Sequence, residues 1–173
     1  FPDWDDRQIA IEMVLRYYGA FDFKYGNAFS LDEDINEVVM MMFSEEVDYT
    51  DARCEAANCE NEKFLQAARK LTEEQQKQWW AFFDELDAKE AEQDIPRPHL
   101  YVDFVCVREG MQGEGRGSRI IEKICSYADE VGLPIMLFTN GERDIAFYEK
   151  NRFKVISVAK SEAFGFENTY MLY

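Results

Sequence analysis

Three scarcities narrow what this chain can be. None of its 173 residues belongs to an apolar run approaching the ~18 from which a membrane-crossing helix is read, so no membrane partner is expected. It carries 19 Lys and Arg against 35 Asp and Glu, a formal net charge of −16. A surface so poor in cations repels phosphate backbones, and nucleic acid is not expected as a partner. It has one histidine, His99, and four cysteines, Cys54, Cys59, Cys106 and Cys125, without disulfide-like regularity. Cys54 and Cys59 are near enough to pair or share a metal. No second Cys/His pair completes a zinc site, and no metal is expected. Cys106 and Cys125 fall in a predicted strand and helix and read as small buried apolar residues. The chain opens Phe1-Pro2 with no secretory leader legible. A reduced, cytoplasmic protein of one domain, 1–173, is the simplest expectation.

What is present is unevenly spread. Residues 1–98 hold 24 acids against 10 Lys and Arg, and residues 99–173 hold 11 against 9. Two readings of the acidic half stand open: a merely solvated surface, or a field that draws in a cationic amine.

Apolar periodicity places the elements. Asp3 to about Asp22 reads as a helix, with Trp4 near its start and Asp3, Asp5 and Asp6 complementing its dipole. Gly26–Leu31 and Asn36–Phe43 read as a hairpin-like pair, and the methionines at 40–42 as core or pocket lining. Glu45 to Asn61 shows no periodicity and reads as a loop. Thr72-Glu-Glu-Gln-Gln opens a helix with a capping pattern and carries Trp79, Trp80, Phe82 and Phe83 to about Glu90. Pro96 and Pro98 lead into a strand, His99–Val107. A helix to Val131 ends at Gly132, and a buried strand runs over 134–139. A short helix, Asp144–Lys150, precedes closing strands at 153–158 and 168–173.

The densest chemical signal is the run from Val105 to Ser118, where an apolar strand enters a glycine-rich turn and then an amphipathic helix. Gly113, Gly115 and Gly117 allow a tight turn with N–H groups converging on one point, to which the helix adds its own unpaired N–H groups. That is a site for phosphate or pyrophosphate. A nucleoside-triphosphate loop is excluded, because Arg116-Gly117 stand where Lys and Ser/Thr should follow Gly110 and Gly115. The dinucleotide pattern G-x-G-x-x-G is excluded because the spacing here is G-x-G-x-G. On the hexapeptide alone, an ordinary glycine-rich turn and a phosphate loop both stand.

The pattern Gln112-x-x-Gly115-x-Gly117, five residues after a strand end, resembles the pyrophosphate loop of the GNAT superfamily of acetyl-CoA-dependent N-acetyltransferases. About 30 residues on, Ala146-Phe-Tyr-Glu-Lys-Asn-Arg-Phe153 resembles the superfamily's second signature. The order strand, strand, helical insertion (about 60–92), strand, glycine loop is similar to the branch that includes puromycin N-acetyltransferase. This resemblance implies an α/β GNAT fold, a central mixed and mostly antiparallel sheet flanked by helices. It also implies a strand and helix missing before residue 1.

It implies site roles as well. Val105, Cys106 and Val107 would hold the pantetheine arm of acetyl-CoA on the splayed end of their strand and polarise the thioester carbonyl. Backbone donors aimed at an oxyanion contribute roughly 3 kcal/mol. Gln112, Gly113, Glu114, Gly115, Arg116, Gly117 and Ser118 would cradle the pyrophosphate, with Arg116 and Arg119 offering positive charge beside it. Asn140 and Phe147 would add cofactor contacts. Tyr148 would protonate the departing thiolate, and Asp103 would take the proton of the amine, with Glu149 and Tyr101 as rivals. Strand alternation sets Tyr101, Asp103, Val105 and Val107 on one face and Leu100, Val102, Phe104 and Cys106 on the other.

Departures from the pattern limit the carry-over. Arg152 stands where relatives have Gly, with Asn151 the expected left-handed residue, and Asn140 is one position early. Trp79 and Trp80 read either as core or as a cover over the acceptor pocket. The acceptor is expected to be a small-molecule primary amine. A CoA-binding module without turnover is the alternative, and the oligomeric state stays open, a homodimer included.

Overall fold

The computed structural model describes residues 4–173. They form two compact units: the chain up to Gly26 with Asp48–Glu92, and Asn27–Val47 with Gln93–Tyr173. The helical unit therefore recruits the N-terminal helix as well as the expected insertion.

The helical unit consists of α1 (Trp4–Tyr25), α2 (Asp51–Ala57), α3 (Glu62–Ala68) and α4 (Glu73–Ala91), with α2 and α3 packed on α1. Met13, Phe64, Ala67, Leu71 and Trp79 form its core. Trp79 is 2% exposed, and its indole N–H donates to the Ala10 carbonyl at 3.3 Å. That settles Trp79 as core, whereas Trp80 keeps 36% exposure. The predicted capping box forms: the Thr72 hydroxyl accepts from the Gln75 N–H, and the Gln75 side chain accepts from the Thr72 N–H.

The expected loop over 45–61 is corrected by α2. It escapes periodicity analysis because it has seven residues and buries only Cys54. Its stop is local, since Asn58 takes a left-handed conformation at φ 56°. Cys54 and Cys59 are both buried free thiols, and burial, with Cys54 alongside, pushes the Cys59 thiol up to about 12. No cluster of candidate metal ligands occurs among the described residues. None of their helices is long and apolar enough to cross a membrane.

The second unit is a six-stranded sheet with two helices. Its strands are β1 (Asn27–Phe29), β2 (Glu37–Phe43), β3 (Leu100–Val107), β4 (Ile135–Thr139), β5 (Lys154–Lys160) and β6 (Glu167–Leu172), in the order β1-β2-β3-β4-β6-β5. Only β3 and β4 pair in parallel; the other pairs are antiparallel. The helix α5 (Arg116–Val131) buries Ile120, Ile121, Ile124, Cys125 and Ala128 against a sheet face that includes Val39, Leu100, Val102, Ile135 and Leu137. Each such Ile, Leu or Val side chain contributes about 1.5–3 kcal/mol by leaving water. This packing fixes α5, and with it the loop that feeds its first turn.

The helix α6 (Glu142–Lys150) returns to β5 through a turn that corrects one expectation. Asn151 is ordinary at φ −95°, and Arg152 itself takes the left-handed conformation at φ 76°. The Asn151 side chain instead donates to the Phe147 carbonyl at 2.7 Å, and the Arg152 guanidinium lies over the Tyr173 ring at 4.8 Å.

Candidate active site

The parallel pairing of β3 with β4 lasts two residue pairs, Leu100 with Ile135 and Tyr101 with Met136. Beyond them the strands part. A bulge accompanies the parting: Val102 faces Met41 and Phe104 faces Met40, which leaves Asp103 with no counterpart on β2. An extra residue bends its strand and shifts the alternation by one. The expected faces are therefore corrected. Val105 and Val107 share the face of Leu100 and Val102, while Phe104 and Cys106 join Tyr101 on the other. Val105 accordingly packs on the core cluster. Cys106 is exposed rather than buried, which corrects its reading as a core residue.

The parted strands open a cleft of about 680 Å³. Asp103–Val107 line one side, the loop at 111–118 another, and Phe138, Thr139 and the inner face of α6 the rest. Twelve of the predicted site residues line it together: Asp103, Val105, Cys106, Val107, Gln112, Gly113, Gly115, Arg116, Gly117, Ser118, Phe147 and Tyr148. Two do not. Asn140 turns its amide to β6, donating to the Glu167 carbonyl at 2.6 Å and to the Asn168 side chain. Glu114 stays outside the lining, with its carboxylate 3.5 Å from the Arg116 Nε.

The glycines of the loop serve different ends. Gly115 caps α5 at φ 77°, a conformation that costs other residues about 1–2 kcal/mol. Gly117 gives space: a methyl there would lie 3.2 Å from the Phe147 ring, tighter than an ordinary contact, so the ring would have to shift by a few tenths of an ångström. The backbone N–H groups from Gln112 through Ser118 have no acceptor among the described residues. They lie at and just before the N-terminus of α5, the positive end of its dipole, where an anion is stabilised.

Arg116 does something the sequence did not indicate. Its guanidinium is 2.9 Å from Glu37 Oε2 and 3.0 Å from Asp32 Oδ2. The Glu37 side chain is fully buried, and its other oxygen accepts from the Leu31 N–H at 2.9 Å. The pair ties the β1–β2 loop to the first turn of α5. Burial works to raise the Asp32 carboxyl, but hydrogen bonds from Asn36 and Arg116 outweigh it and hold it below its usual range. The guanidinium is thus already neutralised, and a bound phosphate would meet backbone amides first.

Tyr148 faces the cleft from α6. Burial, then the nearby Asp144 and Cys106, push its phenol up to about 12. Arg143 and Asp144 line the cleft beside Phe147 and Tyr148. Their spacing of three to five residues along one helix was a legible signal for a shared face.

The sequence profile of the acetyltransferase (GNAT) family matches residues 60–153, a span that includes both motifs. No curated protein matches significantly. Among solved structures, a Drosophila melanogaster polyamine N-acetyltransferase is similar at 16% identity and a TM-score of 0.52, over 79% of this chain and 68% of that one. An Agrobacterium tumefaciens putative acetyltransferase matches at 23% identity and 0.40, over 44% of this chain and 56% of that one. A Bacillus subtilis acetyltransferase, solved in complex with CoA, matches at 15% and 0.40, over 44% and 62%. The chain thus spans less than two thirds of the latter two proteins. A family match over more than half of the chain, on a mixed sheet that parts beside a glycine loop, leads to one conclusion: the chain belongs to the acetyltransferase (GNAT) family.

Proposed function

We propose that this protein is an acetyl-CoA-dependent N-acetyltransferase acting on a primary amine, with no metal. The observation that carries the reading is the set of unsatisfied backbone N–H groups at Gln112–Ser118, in one cleft with the parted end of β3 and with Tyr148. Pyrophosphate suits the first, and a thioester laid along β3 suits the second.

The chemistry then runs in order. The amine must be neutral to attack, since an ammonium has no lone pair, and Asp103 in the cleft wall is positioned to draw off its proton, directly or through water. The nitrogen forms its bond to the acetyl carbon while backbone donors of the freed β3 edge hold the developing oxyanion. The carbon–sulfur bond breaks, and the thiolate accepts a proton or a hydrogen bond from Tyr148.

A phenol near 12 facing a thiolate of about 8.5 is uphill by roughly 5 kcal/mol for full transfer. Tyr148 therefore acts first as a hydrogen-bond donor to sulfur. It releases its proton only because the same burial raises the thiolate's basicity.

The amine class, a cationic small molecule, rests on charge alone. Divided by unit rather than by half, the acids spread evenly: 17 against 9 Lys and Arg in the helical unit and 18 against 10 in the sheet unit. The acidic stretch at 32–37 belongs to the sheet and partly serves Arg116. Kinship with the puromycin N-acetyltransferase branch is supported by the order of elements, and a cytoplasmic setting by the four free thiols. A single GNAT domain carrying a helical insertion is the matching organisation.

Thermal unfolding with and without acetyl-CoA tests the reading, followed by thiol release across an amine panel that includes polyamines. Stabilisation with turnover is expected. No stabilisation by acetyl-CoA or CoA would overturn it, and stabilisation without turnover on any amine would leave a CoA-binding module.

A further inference from the structure

The charged residues that line the cleft are Arg116, Arg143 and Lys150 against Asp103 and Asp144. Arg116 is already engaged by Glu37 and Asp32, and Lys150 stands at the far end of α6. Arg143 is different. It stands exposed in the first turn of α6 and has no ion-pair partner among the described residues. Asp144 follows it directly, but adjacent positions on a helix do not face each other. The chemistry derived above gives this guanidinium nothing to do.

Its place along the cleft follows from α6. The Phe147 ring lies beside Gly117, in the first turn of α5 and so next to the glycine loop. Arg143 is four residues earlier, about 6 Å along the helix axis, and helical side chains lean toward the N-terminus. Its side chain therefore leads away from the loop, toward Phe138 and Thr139 at the end of β4, which line the cleft with it. The phosphates of an acyl donor suit the amides at Gln112–Ser118, and its thioester belongs beside Tyr148. The Arg143 end of the cleft is left to the acceptor.

We propose that Arg143 is a specificity determinant that holds a carboxylate on the acceptor, so that the amine is presented by an amino acid. This rests on the acetyl-CoA reading above and narrows its amine class. The planar guanidinium offers a fork of N–H donors that a carboxylate matches with two parallel hydrogen bonds. The amine of the same molecule then meets Asp103, on another wall of the cleft, which draws off its proton. A polyamine brings only positive charge and is repelled by an unpaired guanidinium in the cleft. A basic amino acid satisfies both Arg143 and the acidic surface of a chain of net charge −16.

The test compares acceptors that differ only by a carboxylate: lysine with cadaverine, ornithine with putrescine, and alanine with ethylamine. Thiol release at saturating acetyl-CoA gives kcat/KM for each. The unaltered protein should favour the amino acid of a pair by about tenfold or more. In Arg143→Gln that ratio should fall to about one, with KM for acetyl-CoA changed by less than about twofold. Arg143→Lys, which keeps the charge without the fork, should retain part of the preference. A decarboxylated amine used as well as its amino acid, or a ratio kept in Arg143→Gln, would overturn the proposal. So would a KM for acetyl-CoA that rises about tenfold in that variant, which would assign Arg143 to the donor. Thiol release with none of the amino acids overturns it too. If the unaltered protein does not bind acetyl-CoA, the acetyl-CoA reading itself fails.

Discussion

The two units are stabilised by different kinds of core. The helical unit relies on rings: Tyr17 lies within 6.2 Å of Tyr18, Phe64, Trp79 and Trp80, mostly edge-on. The sheet unit relies on aliphatic chains from α5, β2, β3, β4 and β6. Its unusual features are in the backbone: a bulge, a parted strand pair and a loop of unsatisfied amides. The difference teaches where chemistry resides in this chain. Rings fill space and hold helices, whereas the glycine loop beside the cleft presents main-chain N–H groups, and the Glu37–Arg116 pair ties it to the β1–β2 loop.

The strongest way to break that division is Trp79→Ala. Deleting a buried indole that also donates a hydrogen bond should cost about 3–5 kcal/mol, measured by urea unfolding. If the ring core is structural only, KM for acetyl-CoA should not move at temperatures where the variant is folded; a rise in KM would erase the contrast. Next comes Tyr148→Phe, expected to lower kcat by about 10²-fold or more with the fold intact. Because burial holds the phenol at about 12, the unaltered enzyme should show no falling limb from this group below about pH 11. A limb near pH 9–10 that vanishes in the variant would contradict that placement.

Glu37→Gln sharpens the claim that side chains serve the loop. It removes the buried charge that holds Arg116, and should raise KM for acetyl-CoA about tenfold while lowering kcat less. Equal falls in kcat and in kcat/KM would place Glu37 in the chemistry instead. Thr72→Ala breaks the capping box and should cost about 1 kcal/mol of stability with no kinetic effect.

The smallest expected effect is on pH. Burial lowers the pKa of His99, whose Nδ1 lies 2.7 Å from the Pro96 carbonyl. The unfolded chain then binds the proton more readily, so stability is fully present above about pH 6.5 and declines as pH falls below it. Melting scans of the unaltered protein and of His99→Gln, differing only at acid pH, would show it.

Legibility followed the range of the interactions involved. The capping box at Thr72–Gln75, the stop at Gly132 and the loop at 112–117 are local, written within a few residues, and each stands where the sequence puts it. The short helix α2 was missed because seven residues with one buried side chain carry no period. The faces of β3 were missed beyond Val102 because the bulge at Asp103 exists only in pairing with β2. Asn140 and Arg116 were expected at the cofactor from the family resemblance, but partners 27 and 79 residues away claim their side chains.

The amino-acid sequence by itself determined the family, the glycine loop and the helix that carries Tyr148, because backbone preference and residue spacing act over short stretches. Only the tertiary structure decided how that loop is held and what surrounds it. The buried Glu37 that restrains Arg116, the Arg152 guanidinium over the Tyr173 ring and the cleft that Arg143 shares with Asp103 each join residues far apart in the chain. Such meetings follow from how distant segments pack, and no local pattern records them.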